Sequence, residues 1–181
     1  MFFYGNFRDA NIYNNARAVR YAITYALNPN PEFRFIPGRD DGGGDCTNFM
    51  SQCLKAGGAP FAYNSSPWWY KVNGISPSDD KWSISWTVAH SLYWTLKKRK
   101  QSRLRGLKAE EVKDMQMLKL GDLIQYEDKN GVIYHSAMVT AFTGDKGMRI
   151  PLITQHSVNG INITHIKPKA KKMHFMKIEV S

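Results

Sequence analysis

Apolar residues in the first hundred positions recur at spacings of three and four, which is the period of an amphipathic helix. This pattern, with its capping and stop residues, predicts helices from Asn14 to Leu27, from Cys46 to Ala56, and from Ser83 or Ser85 to Lys98. The stretch from Pro60 to Asp80 breaks the period and is rich in Asn, Ser, Pro and Gly. A loop of this length inside a folded domain usually has a function, and we expect one here.

After Gly121 the apolar residues alternate with polar ones, which is the period of a strand. The predicted strands are Leu123–Tyr126, Ile133–Ala141, Ile150–His156, Asn162–Ile166 and Phe175–Val180. Turn residues at 128–131 and 144–147 predict hairpins. Helices followed by an antiparallel sheet of about five strands are typical of the α+β class. The length fits a single domain over 1–181.

Composition excludes several classes of protein. Apolar residues make up 43% and charged residues 22% of the chain, as in soluble globular proteins rather than disordered or fibrous ones. No run reaches the roughly 18 apolar residues of a membrane span. Residues 1–10 carry charged and polar groups where a signal peptide has an apolar stretch. We therefore expect synthesis in the cytoplasm and release by another route, or a chain whose signal has been removed.

The chain is strongly basic, with 25 Lys and Arg against 15 Asp and Glu and a formal net charge of +10. Much of the excess lies in segments 97–105 and 167–177. These segments either form solvated faces or attract a polyanion, for which anionic lipid, anionic cell-wall polymer and nucleic acid are the candidates. Nucleic acid comes last because no nucleic-acid-binding motif accompanies the charge. A monomer is expected.

The two cysteines have different expected roles. Cys46 follows a glycine run and Asp45, at the first turn of its predicted helix, where the helix macrodipole favours thiolate over thiol. It is therefore the candidate nucleophile. Cys53 lies about 10 Å further along the same helix, too far for a disulfide, and is expected in the core. The spacing of structural zinc ligands is absent, so no metal or other cofactor is expected.

His135 opens a predicted strand in which alternate residues up to Ala141 share one face. Three of the four are small or apolar, and we expect that face to pack on the Cys46 helix. His135 then lies beside the nucleophile, as a Cys-His enzyme requires. The oxyanion hole is expected to include the backbone N–H of Cys46.

A third group is needed to hold the imidazole in one tautomer. A two-residue turn at 145–146 makes His135 face His156, whereas a bulge at Gly147 puts Gln155 or Ser157 on that face. The residues alone leave both registers open.

Three further residues are candidates for binding. Asp45 either caps the helix or holds a substrate amine, and capping is the stronger expectation. Trp68 and Trp69 either line a substrate groove or anchor their loop in the core.

Six segments are spread over most of the chain, at 13–22, 44–54, 68–70, 121–126, 135–140 and 155–157. The run Asp-Cys-Thr-Asn-Phe at 45–49 is the most specific of them. In this order they resemble the Amidase_6 amidase domains, which are related to papain-like hydrolases of bacterial cell walls, including the NlpC/P60 and CHAP peptidases.

The resemblance implies a papain-like fold and hydrolysis of an amide bond in peptidoglycan, either N-acetylmuramoyl-L-alanine or a stem-peptide link. It places the nucleophile on Cys46, the base on His135 and the orienting residue on His156, and so favours the first register. With no secretion signal, it suggests the catalytic domain of a phage endolysin. The alternatives are a Cys-His peptidase, deamidase or acyltransferase that acts on proteins, and an inactive basic module that binds cell wall.

Overall fold

The computed structural model describes residues 13–37, 44–144 and 147–181. Its helices are α1 (Asn15–Tyr25), α2 (Cys46–Ala56), α3 (Ile84–Thr87) and α4 (Ala89–Gln101). Its strands are β1 (Tyr70–Lys71), β2 (Lys81–Trp82), β3 (Leu107–Val112), β4 (Leu123–Glu127), β5 (Ile133–Thr143), β6 (Ile150–Gln155), β7 (Gly160–Thr164) and β8 (Lys172–Val180). The predicted α+β class is confirmed. Within these ranges, no helix has the length and apolar character needed to cross a membrane.

The large sheet has six antiparallel strands in the order β3-β8-β4-β5-β6-β7, and β1 and β2 form a separate pair. Sequence reasoning missed β3, which pairs with β8 from Leu107–Val180 to Val112–Phe175. Three of its six residues are charged, which hides the alternation of apolar positions. Charged side chains are common on an edge strand because they discourage pairing with another chain.

The predicted third helix is two helices in the structure. Val88 has extended backbone angles (φ −106°, ψ 119°), and its N–H closes the last turn of α3 on Ile84. Its carbonyl then accepts the first bond of α4, from Leu92. A β-branched residue favours extended angles, which explains the break.

The sheet is covered on both faces, and each face has its own hydrophobic core. Helices α1, α2 and α4 pack on one face, around Phe49, Leu92, Met138 and Met176. The other face is filled by residues of strands and loops: Val112, Leu118, Ile124, Tyr126, Ala137, Val139 and Ile153. Ala137 and Val139 therefore do not pack on the Cys46 helix as predicted, because that helix covers the opposite face of β5.

Helices α1 and α2 are held together at the residues that flank them. The Asn14 side chain caps α1 by accepting the N–H of Arg17, and the N–H of Asn14 donates to the carbonyl of Gly57 at 2.8 Å. A side chain at Gly57 would place its Cβ in steric conflict with the Tyr13 ring. Gly57, which ends α2, thus also lets the end of this helix lie close to Tyr13.

Glu111 joins β3, β8 and α4 through its carboxylate, which accepts from Lys97, His174 and Tyr93. Burial alone would raise the pKa of Glu111, but these three donors outweigh it and lower the pKa to about 2. A carboxyl whose folded pKa lies below its unfolded value stabilises the fold above the unfolded pKa, and this stabilisation is lost as the pH falls.

We expect Glu111→Gln to lower the free energy of unfolding at pH 7 by about 1–2 kcal/mol, because the cluster is only partly buried. The difference from the unmodified protein should shrink between pH 4.5 and pH 2. Urea unfolding at a series of pH values measures it. Glu110→Gln is the matched control, since Glu110 is exposed and lies 3.4 Å from Lys100. A pH-independent loss in Glu111→Gln would contradict the role of the charge.

Candidate active site

The start of α2 places Cys46 beside strand β5. Its sulfur lies 3.7 Å from the hydroxyl oxygen of Thr47, and it lies near the backbone N–H of Ser136, the residue directly after His135. The Thr47 and Ser136 hydroxyls are themselves 3.1 Å apart. The structure therefore brings Cys46 next to the start of the strand that carries His135. Cys46 and Cys53 are both free thiols.

The thiol of Cys46 is buried, with 6% of the residue exposed, among polar neighbours. Burial raises the pKa of Cys46, although hydrogen bonds from Ser136 and Thr47 act against the rise. The expectation of a thiolate held by the helix terminus in the resting protein is therefore wrong. Loss of hydration outweighs the partial charge of the first turn.

The ring of His135 is held by Gln155, whose Oε1 lies 2.9 Å from His135 Nε2. The Gln155 amide has one orientation, because its Nε2 donates to the carbonyl of Val158. Oε1 is thus the acceptor, and Nε2 of His135 must carry the proton. The tautomer that results leaves Nδ1 with a free lone pair, as a general base requires.

His135 is neutral at pH 7. Burial and the positive charge of Lys167 lower its pKa to about 4, and the hydrogen bond with Gln155 opposes them only in part. With the pKa of Cys46 raised, the resting pair is a neutral thiol and a neutral imidazole. Such a pair can react by transferring the proton during attack, without a preformed ion pair.

His156 does not orient His135, and the role that the resemblance placed on it is corrected by the structure. Its Nδ1 lies 2.5 Å from a carboxylate oxygen of Asp45, its Nε2 lies 2.8 Å from the carbonyl of Tyr25, and its ring stacks on Phe49 at 3.7 Å. Both ring nitrogens are therefore occupied. His156 anchors the end of β6 to the helical side of the molecule.

A register shift accounts for this correction. Strands β5 and β6 change register between Val139 and Ala141. Because of this irregularity, Gln155 shares the face of His135, and His156 points to the other side. The predicted turn at 145–146 lies outside the described residues.

Asp45 occupies the N-cap position of α2, but its side chain makes no capping bond, so that expectation is wrong. One carboxylate oxygen accepts the N–H of Ile36 and the side-chain amide of Asn48, and the other faces His156. Only 2% of Asp45 is exposed. The carboxylate is therefore occupied by protein donors, and the structure does not support its holding a substrate amine.

The two candidate tryptophans have different environments. Trp68 is fully buried and donates its indole N–H to the Ser51 hydroxyl, so it anchors the loop rather than lining a groove. Trp69 is partly exposed and stacks on exposed Tyr63 at 6.1 Å. Its backbone pairs with Ser83. In the described part of the chain, these contacts do not join it to the Cys-His pair.

Ser157 contacts the expected oxyanion hole. Its hydroxyl accepts the backbone N–H of Cys46 at 3.2 Å. Ser157 has a positive φ of 76°, which a non-glycine residue adopts only under constraint from its surroundings. The backbone N–H of Cys46, which we expect to bind the oxyanion, therefore already points at an oxygen atom, that of the Ser157 hydroxyl.

Lys167 was missed because the sequence shows it only as the first residue of a basic segment. It is half-buried, and its ammonium lies 5.2 Å from the centre of the Tyr126 ring, which in turn lies 5.6 Å from the ring of His135. Burial lowers the pKa of Lys167, and its interaction with Cys46 acts in the opposite direction. The site thus contains a cation, Lys167, that no local sequence motif predicts.

The chain was compared with known protein families, curated proteins and solved structures. Residues 12–178 match the profile of a family described as "Putative amidase domain". The chain belongs to this amidase family. No solved structure matches it significantly.

Two curated relatives of this amidase domain come from Bacillus subtilis (strain 168). It is similar to the uncharacterized protein YhbB, at 37% identity over 145 residues, and to the uncharacterized protein YjcM, at 28% over 160 residues. The matches cover 78% and 83% of this chain but only 40% and 32% of the relatives. The amidase domain therefore spans less than half the length of either relative.

In residues 13–37, 44–144 and 147–181, no group of three or more His, Cys, Asp or Glu side chains is arranged to hold a metal ion. The start of α2 and the adjoining ends of β5 and β6 instead carry a thiol, an imidazole, an amide and three hydroxyl groups. These are the components of nucleophilic acyl transfer.

Proposed function

We propose that this amidase domain hydrolyses an amide bond of peptidoglycan with Cys46 as nucleophile, in a papain-like arrangement. The observation that carries the proposal is the orientation of His135 by Gln155, on a strand whose next residue, Ser136, contacts the start of the Cys46 helix through Thr47. Membership of an amidase family supports the reaction class. The strongly basic composition suits a substrate embedded in anionic wall polymer.

In the first half of the reaction, the sulfur of Cys46 attacks the amide carbonyl as its proton moves to Nδ1 of His135. The carbonyl oxygen becomes an oxyanion and takes the backbone N–H of Cys46 in place of the Ser157 hydroxyl. His135 then gives the proton to the leaving nitrogen, which departs as an amine. The product on the enzyme is a thioester.

In the second half, water attacks the thioester while His135 takes one of its protons. The tetrahedral intermediate collapses, the proton returns to the sulfur, and a carboxylic acid leaves. The net reaction consumes one amide and one water and forms one acid and one amine. Gln155 keeps the same tautomer of His135 available for both halves.

Incubation with purified peptidoglycan, followed by mass spectrometry of the soluble products, tests the proposal. A new N-terminal alanine on a peptide free of sugar indicates cleavage at the N-acetylmuramoyl-L-alanine bond. New termini within the peptide indicate a stem-peptide peptidase. Release of neither product, together with cleavage or deamidation of protein substrates, would favour the competing Cys-His activity. Because peptidoglycan lies outside the cytoplasm, the proposed site of action is the cell wall.

A further inference from the structure

A chain of buried polar groups leads from the centre of the sheet to the nucleophile. It starts at Gln125 on β4, whose Nε2 donates to the carbonyl of Ala89 at 3.2 Å and to the Ser136 hydroxyl at 2.9 Å. The opposite amide orientation would set Oε1 against the Ala89 carbonyl, and two acceptors repel. Gln125 therefore acts as a donor on this side.

Because Gln125 is fixed as a donor, the direction of every hydrogen bond from Gln125 to Cys46 is fixed as well. Each hydroxyl has one proton, so Ser136, which accepts from Gln125, directs its own proton to Thr47 at 3.1 Å. Thr47 in turn has its proton free for the sulfur of Cys46 at 3.7 Å. The side chains of Gln125, Ser136 and Thr47 are fully buried, so water does not compete for the hydrogen bonds between them.

The orientation of Gln125 has a structural cost. Its Oε1 is the only buried side-chain oxygen or nitrogen in the described residues without a hydrogen-bond partner. A buried acceptor without a partner destabilises a fold. Apart from the bonds made by Nε2, no contact in the described residues accounts for this orientation.

We propose that Gln125 is a positioning residue that, through two hydroxyl groups, directs a proton at the sulfur of Cys46. The inference rests on the proposed function only in assigning the nucleophile. As the thiol proton leaves for His135, negative charge develops on the sulfur. The Thr47 hydroxyl is already oriented to donate a hydrogen bond to that charge. The nearby backbone N–H of Ser136 also favours negative charge on this sulfur.

The test is the thiol pKa of Cys46, followed through the Cβ chemical shift of ¹³C-labelled cysteine against pH. We expect Thr47→Val, which is nearly isosteric, to raise this pKa by about one unit, because a hydrogen bond to a charged group is lost. Thr47→Ser keeps the hydroxyl and should restore the original value. Gln125→Leu should raise the pKa by a smaller amount, because Ser136 and Thr47 are then free to reverse their direction.

The outcomes separate this role from packing and from the proposed function. An unchanged pKa in Thr47→Val, or an equal rise in Thr47→Val and Thr47→Ser, overturns the donor role. An unchanged pKa in Gln125→Leu overturns the positioning role, and Ser136→Ala tests the same link should that variant not fold. The Cys53 signal reports an intact core in every variant. The readout needs no substrate, so failure to hydrolyse peptidoglycan would leave it valid.

Discussion

Replacement of Cys46 by alanine is expected to lower the rate of amide hydrolysis by at least about 1,000-fold, because the covalent route is lost and only binding and backbone donors remain. The residue is buried but small, so the fold should persist. Product release from labelled peptidoglycan measures the rate, and circular dichroism checks the fold.

Two further variants make this result specific. His135→Ala should cause a loss of similar size, and the double variant should lose little more, because the two side chains act as one unit. Cys53→Ala is the matched control: it removes a fully buried thiol from the same helix and should lower stability while hydrolysis continues. Hydrolysis that survives in Cys46→Ala but not in Cys53→Ala would mean that the wrong thiol had been chosen.

Replacement of His156 by leucine is expected to lower the free energy of unfolding by about 3–5 kcal/mol, because it leaves the Asp45 carboxylate buried without its partner. The Tyr25 carbonyl can only accept, so Nε2 of His156 carries a proton. Asp45 accepts two further N–H bonds, and the side chains of Asp45 and His156 are only 3% and 1% exposed. Water therefore does not replace the imidazole as a partner of Asp45 when His156 is removed.

Urea unfolding of the single and double variants measures this effect. Asp45→Asn combined with His156→Leu should recover part of the loss, since a neutral amide is easier to bury than a charge. His165→Leu is the matched control, because His165 is also buried but its Nδ1 faces only the carbonyl of Pro151. A loss in His156→Leu no larger than in His165→Leu would rule out a stabilising contact between His156 and Asp45.

Local patterns predicted the elements that carry the candidate nucleophile and base. Helix α2 runs from Cys46 to Ala56 as predicted, because a glycine run precedes it and Gly57 ends it. Strand β5 was predicted from its alternation, although it extends to Thr143. Signals of this kind lie within a few residues of the element that they define.

Local signals could not predict which residue orients His135. Whether Gln155 or His156 faces His135 depends on the register shift between β5 and β6, and a shift of one residue reverses the face of every side chain. Lys167 likewise reaches the site only because the segment between β7 and β8 folds back across Tyr126. The first depends on how two consecutive strands pair, and the second on contact between segments that are 39 residues apart at Tyr126 and His165.

Sequence alone determined the α+β class, the helix that begins at Cys46, the strand that holds His135 and the membership of an amidase family, since periodicity, capping residues and a specific motif are local properties. Tertiary structure alone decided which side chain holds His135, that Asp45 and His156 contact each other, and that the resting thiol and imidazole are neutral. The physical reason is that strand register and the loss of hydration on burial arise only when separate segments of the chain pack together.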